Sequence, residues 1–90
     1  KRRGSVIPEI KISGHAIDRA SQRLLGIWQR DIKARSIRQG LHAWLCEKAT
    51  EALALPPDAD GRRHHAGVIW TFEIGSRYPV LKTVWREESQ

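Results

Sequence analysis

The residues best suited to chemistry lie between Ser13 and Leu25, where one histidine and two arginines recur at every fourth position. If this stretch is helical, His15, Arg19 and Arg23 share one face, because residues four apart are neighbours on a helix surface. An imidazole titrates near neutral pH and can transfer a proton. Guanidinium groups carry forked donors that match the oxygens of a phosphate. The spacing therefore favours a site that handles phosphate.

The signals around this row predict a first helix over about Gly14–Leu25, ending near Gly26. Ser13 is a good N-cap, because its hydroxyl can accept hydrogen bonds from the first free backbone N–H groups. A neighbouring apolar stripe consists of Ile17, Ala20 and Leu24. Packing of that stripe leaves the histidine and the arginines at the edge of the core.

A second helix is predicted from a cap at Asp31 to Leu55, and Pro56–Gly61 ends it as a loop. Gly40 lies within the pattern, so a bend is expected there. Its apolar residues keep helical spacing across that glycine: Ile37, Leu41, Trp44, Leu45, Ala49, Ala52 and Leu53. Because the phase of the stripe survives, we favour one long, bent helix over two.

The remaining segments alternate with the period of β-strands. Val6–Ile12 is a short edge strand because it contains Pro8. Val68–Ile74 and Val80–Trp85 form a hairpin, and Arg62–His65 extends the first of these strands or adds a short one. The fold class is therefore α+β, with two N-terminal helices on a small antiparallel sheet of three to four strands. Trp44, Trp70 and Phe72 are expected in its core.

The composition allows one domain and favours an anionic partner. The chain has 90 residues, with 16 Lys and Arg against 10 Asp and Glu, a formal charge of +6. We expect a flexible basic arm at 1–5, a globular core at 6–86 and a frayed end at 87–90. The single cysteine, Cys46, fits a cytoplasmic location. No apolar run approaches the roughly 20 residues that span a bilayer, so no membrane partner is expected.

Two motifs carry a family resemblance: His15-Ala16-Ile17-Asp18-Arg19-Ala20-Ser21-Gln22-Arg23 on the first helix and Lys82-Thr83-Val84 on the last strand. With two helices followed by a hairpin over roughly 9–86, the chain resembles small RNase toxin domains of the barnase–EndoU–colicin–RelE superfold. The resemblance implies a metal-independent endoribonuclease, without a cofactor, whose product is a 2′,3′-cyclic phosphate. An acidic antitoxin or immunity protein is then a further expected partner.

In such an enzyme His15 would transfer the proton of the ribose 2′-hydroxyl or of the leaving oxygen. Arg19 and Arg23 would stabilise the charge that develops on the phosphate. Thr83 would donate a hydrogen bond to the phosphate or orient the histidine. A row of exposed side chains without any ligand is the alternative interpretation for the histidine and the two arginines. For Thr83 the alternative is an ordinary strand-forming residue.

Other residues are candidates for contact with nucleic acid. Tyr78 and Trp85 could stack on bases, as could Trp28, and Lys82 would add charge. A second basic cluster supplies Arg62, Arg63 and His65, with His64 between them. Solvent-exposed positions at the start of a strand are the alternative for this cluster.

A zinc site is the least supported option. His42 and Cys46 are four apart on a helix and could join His64 and His65, but the paired cysteines typical of structural zinc are missing. No metal is therefore expected. Three functions remain: the ribonuclease, a non-catalytic nucleic-acid-binding domain, and a small phage or mobile-element protein that inhibits a host protein.

Overall fold

The computed structural model describes residues 10–75 and 77–87, which form three helices and four strands. In chain order these are β1 (Lys11–Ile12), α1 (Gly14–Arg23), α2 (Leu25–Arg35), α3 (Leu41–Leu53), β2 (Arg63–His65), β3 (Val68–Glu73) and β4 (Val80–Arg86). The expected α+β class is confirmed. The helix count is three rather than two, and the sheet is mixed rather than purely antiparallel.

The strands lie in the order β1-β4-β3-β2. β2, β3 and β4 pair in antiparallel fashion, and β1 joins the free edge of β4 in parallel. Trp70 pairs with Val84 and Thr71 with Thr83, but Phe72 pairs with Leu81. Lys82 is therefore the extra residue of a β-bulge. β2 is a separate short strand, which settles the two options left open by the sequence.

The sheet has two unlike faces, because successive side chains of a strand point to opposite sides. The face that packs under the helices, here called the helix face, carries Val68, Trp70, Phe72, Leu81 and Val84. The other face, here called the open face, carries Ile69, Thr71, Glu73, Thr83 and Trp85. None of the open-face residues is fully buried.

The core lies between the helix face and the helices. Its fully buried helical residues are Ala16, Ala20, Leu24, Trp44, Leu45, Ala49 and Ala52. The small residues of α1 let this helix approach β4 closely, and Trp44 and Trp70 are the largest fully buried side chains. The expectation of a core at Trp44 and Trp70 is confirmed. Phe72 packs against this cluster from a partly buried position.

The first helix is shorter than predicted. It ends at Arg23, and Gly26 is the second residue of α2 rather than a terminator. Ser13 caps α1 as expected, since its hydroxyl accepts a hydrogen bond from the Ala16 N–H at 3.0 Å. The backbone of Leu24 leaves helical geometry (φ −114°, ψ 3°) and redirects the chain into α2.

The prediction of one helix from Asp31 to Leu55 is wrong. The chain turns over 36–40, where Ser36 adopts a left-handed conformation (φ 54°) and its N–H bonds to the carbonyls that end α2. Gly40 then precedes α3 in an extended conformation. Because the apolar phase continues through this turn, periodicity alone could not reveal it.

Asp31 is likewise not a cap. It lies within α2, and its carboxylate accepts a hydrogen bond from the Trp44 indole N–H at 2.9 Å and pairs with Arg35 at 2.7 Å. The hydrogen bond from Trp44 is the largest cause of the lowered pKa of Asp31. This carboxylate ties α2 to α3 across the turn.

The ends of the predicted domain fall largely outside the described residues. This applies to the arm at 1–5, to Val6–Glu9 of the first predicted strand and to residues 88–90. The backbone N–H of Glu87 donates to the Gly67 carbonyl at 2.9 Å. Within 10–75 and 77–87, no helix is long and apolar enough to cross a bilayer.

Candidate nucleic-acid interface

The predicted row of α1 exists, but its members differ in what they contact. His15 is exposed at the start of the helix. The Arg19 guanidinium donates a hydrogen bond to the Gln22 side chain at 3.0 Å. The Arg23 guanidinium donates to the backbone carbonyl of Val84 at 3.2 Å in a partly buried position. Both expected phosphate ligands therefore donate to protein acceptors, and Arg23 does so in a partly buried position.

The reason for that engagement is the short length of β1. β1 pairs only with Val80 and Leu81, the first two residues of β4. The outer edge of β4 beyond Leu81 is therefore not covered by β1. Beyond this point, Ser13 donates from its hydroxyl to the Lys82 carbonyl at 3.2 Å, and Arg23 reaches Val84. Both ends of α1 thus satisfy carbonyl groups at a strand edge that would otherwise need another partner.

Thr83 does not join this row. It pairs with Thr71 on the open face, whereas its neighbour Val84 is buried on the helix face, under α1. The sheet therefore lies between the Thr83 hydroxyl and the helix that carries His15. The four residues do not surround one phosphate-sized space, because a strand turns adjacent side chains to opposite sides.

Arg63 and His65 are held on the helix face by α3 and the segment that follows it. Arg63 donates from Nε to the Leu55 carbonyl at 2.9 Å. The His65 Nε2 atom lies 2.7 Å from the Glu51 carboxylate. These two members of the second basic cluster join the sheet to the third helix, and their polar groups face away from the open face.

Arg62 and Trp85 form the most distinctive contact of the open face. The Arg62 guanidinium carbon lies 5.1 Å from the centroid of the Trp85 ring, a cation–π arrangement. Trp85 pairs with Ile69 across the hairpin, and Thr83 with Thr71 forms the next row. The Arg62–Trp85 pair and the row of Thr71 and Thr83 thus belong to the same face of the sheet.

Charge continues along the open face. The Lys82 ammonium lies 3.4 Å from the Glu73 carboxylate, and both side chains are more than half exposed. Tyr78 lies just before β4, with the Lys11 ammonium 5.4 Å and the Arg77 guanidinium carbon 5.6 Å from its ring centroid. Several of the residues predicted to contact nucleic acid therefore lie on β4 or beside it: Lys82, Tyr78, Arg62 and Trp85.

The sequence did not reveal the role of His64. Its Nδ1 atom lies 2.8 Å from the Glu87 carboxylate and its Nε2 atom 2.8 Å from the Asp58 carboxylate. Hydrogen bonds to Glu87 and then to Asp58 raise the pKa of His64. The pKa of Asp58 is lowered, chiefly by the backbone N–H of Arg62 and next by His64. Both nitrogens of His64 are thus engaged, and the side chain links the 58–62 turn to the end of β4.

Two alternatives from the sequence find no geometric support. Within the described ranges, no group of three or more His, Cys, Asp and Glu side chains is arranged to hold a metal. Trp28 packs against the core, and its indole N–H donates to the Gln39 carbonyl at 2.9 Å. Its polar group therefore closes the turn between α2 and α3.

Comparisons of this chain with models of protein families, with curated proteins and with solved structures find no match. The fold and the contacts of the site are therefore the basis for any functional conclusion, and the resemblance to RNase toxin domains stays a prediction.

Proposed function

We propose that this chain is a non-catalytic RNA-binding domain that takes single-stranded RNA on the open face of its sheet. The single observation that carries the proposal is the Arg62–Trp85 pair, a stacked cation and indole on a face that carries none of the buried core residues. A base can stack on such a pair while the guanidinium attracts the adjacent phosphate.

Charge complementarity supports RNA as the occupant. The chain carries a formal charge of +6. Arg62, Lys82 and Lys11 lie on or beside the open face, where their charges can displace counterions from a nucleic-acid backbone. Indole and isoleucine side chains between them offer apolar surface for unpaired bases rather than for a duplex.

Binding is favoured over cleavage because, among the described residues, no histidine offers a free ring nitrogen on the open face. Both nitrogens of His64 are hydrogen-bonded to carboxylates, and His15 lies on α1, beyond the sheet. The ribonuclease predicted from the sequence requires His15 and Thr83 to act on one phosphate, and these two belong to opposite sides of the sheet.

Fluorescence anisotropy with a labelled single-stranded RNA tests the proposal. Trp85→Ala is expected to weaken binding by about 1–3 kcal/mol, roughly 5- to 150-fold in Kd, because it removes the stacking surface. Leu25→Ala is the matched control: it removes an apolar side chain that is 43% exposed on α2, and binding should not change. Equal affinity of the Trp85→Ala variant and the wild type would overturn the proposal.

A second arm separates binding from catalysis and from protein inhibition. The wild type is incubated with RNA in chelator, and fragment ends are analysed. The proposal expects intact RNA. Fragments with 2′,3′-cyclic phosphate ends that disappear in His15→Ala would establish the ribonuclease instead. An absence of RNA binding, together with capture of a single acidic protein, would establish the inhibitor.

A further inference from the structure

We infer that the bound RNA strand follows β4 from the Arg62–Trp85 pair to a second contact at the opposite end, where a hollow formed by Lys11, Arg77, Tyr78 and Val80 takes a backbone phosphate. The inference rests on the proposed function and deepens it, because it assigns a path and a length to the ligand. It uses a different part of the chain from the residues that carry the proposed function.

The wall of the hollow is mainly apolar, and two cationic side chains belong to its lining. Its volume is about 310 Å³, and two of its four lining side chains are cationic. Lys11 and Arg77 both lie within 6 Å of the Tyr78 ring centroid, at 5.4 and 5.6 Å. Among residues 10–75 and 77–87, no carboxylate forms an ion pair with either cation. Their positive charge is therefore available to an anion.

The register places this hollow on the open face. Val80 pairs with Glu73 on one side and with Lys11 on the other, and Glu73 belongs to the open face. Lys11 and Val80 are thus in the same cross-strand row as Glu73, on the same side of the sheet as Trp85. A strand of RNA can reach both contacts without crossing the sheet.

The separation of the two contacts sets the length of the ligand. Val80 and Trp85 are five residues apart on β4, about 16 Å at the ~3.3 Å rise of a strand. A single strand with the ~3.4 Å spacing of stacked bases covers this distance in about five nucleotides, and in fewer when the bases are splayed. This agrees with the lower end of the roughly 4–16 nucleotides bound by single sheet-based modules.

The bulge at Lys82 makes this path electrostatically possible. Glu73 lies in the row of the hollow and would repel a phosphate. The Lys82 ammonium, 3.4 Å from the Glu73 carboxylate, offsets that charge. Lys82 occupies the position between the Arg62–Trp85 pair and the hollow, so the cations of the path are Arg62, Lys82, Lys11 and Arg77.

A length series tests the path. Kd is measured for oligouridine of two, four, six and eight nucleotides with the wild type and with the Lys11→Ala/Arg77→Ala double variant. The wild-type affinity should rise steeply up to about five nucleotides and then level off. The double variant should weaken hexanucleotide binding by roughly tenfold and lower its salt slope by about one, because the contact with one phosphate is lost. Dinucleotide binding, which needs only the Arg62–Trp85 end, should be unchanged.

The matched control is Arg30→Ala/Lys33→Ala, which removes the same two charges from exposed positions on α2. If this control weakens hexanucleotide binding as much as the double variant does, the effect is one of net charge and the inference is wrong. An equal loss for dinucleotide and hexanucleotide, or no loss for either, also overturns it, while the proposed function stands. If no wild-type oligomer binds, the proposed function itself has failed.

Discussion

The two faces of the sheet use the same kind of residue in different ways. Trp70 and Trp85 lie on paired strands of one hairpin. Trp70 is fully buried on the helix face, and its indole N–H donates to the His65 carbonyl at 3.1 Å. Trp85 is partly exposed on the open face, with Arg62 stacked against it. The face, and not the residue type, decides whether a tryptophan stabilises the fold or remains available to a ligand.

The arginines repeat this contrast. Arg63 on the helix face is fixed by the Leu55 carbonyl, and Arg23 of α1 by the Val84 carbonyl. The Arg62 guanidinium on the open face lies over the Trp85 ring, and within the described residues it donates to no carbonyl or carboxylate. The number of basic residues in the sequence therefore exceeds the number available on the surface, because some arginines hold elements of the fold together.

The largest expected difference between the two faces is in the free energy of unfolding of their tryptophan variants. Trp70→Ala should lower the free energy of unfolding by about 3–5 kcal/mol, since it leaves a cavity in the core. Trp85→Ala should lower it by less than half as much while weakening RNA binding by roughly 5- to 150-fold. Urea denaturation measures both. If Trp70→Ala does not fold, Trp70→Phe replaces it, and equal losses for the Phe variants at 70 and 85 would contradict the distinction between the faces.

A smaller effect is expected at the row of α1. Arg23→Ala should lower the free energy of unfolding by about 1–2 kcal/mol, because the Val84 carbonyl loses a charged donor. Arg19→Ala, which removes only an exposed bond to Gln22, should stay within about 0.5 kcal/mol. Chemical denaturation compares the two. A larger loss for Arg19 would mean that Arg23 does not anchor α1 to β4.

The cap of α1 should contribute about 1 kcal/mol. Ser13→Ala removes both the bond from the Ala16 N–H and the bond to the Lys82 carbonyl. Ser21→Ala is the control, since this serine is exposed in the last turn of the same helix. Thermal unfolding should show a clear decrease in Tm for the first variant and almost none for the second. A larger decrease in Tm for Ser21→Ala than for Ser13→Ala would show that the Ser13 cap does not stabilise α1.

The smallest expected effect is a pH dependence at His64. Its pKa is raised in the folded state, so the stability it contributes is fully present below the unfolded value near 6.5 and is lost as pH rises through the folded value. His64→Gln should therefore lower stability more at pH ~5.5 than at pH ~8.5, and His42→Gln, at an exposed position of α3, is the control substitution. Denaturation at the two pH values is the measurement. A loss independent of pH would show that His64 does not act through its charge.

The sequence alone determined the local periods of this protein. Alternation predicted β3 and β4, the four-residue spacing predicted the row of α1, and Ser13 predicted its start. These features depend on contacts between residues near in sequence, where the helical and strand periods act directly. The turn at Ser36–Gly40 escaped prediction because apolar residues kept their phase through it.

The tertiary structure decided which residues share a side of the sheet. The parallel pairing of β1 with β4 brings Lys11 into the row of Val80, 69 positions away, and leaves the outer edge of β4 for Ser13 and Arg23. The bulge at Lys82 and the register of the hairpin set Thr83 apart from α1. Pairings between distant segments follow from how the whole chain buries its apolar surface, and no local pattern encodes them.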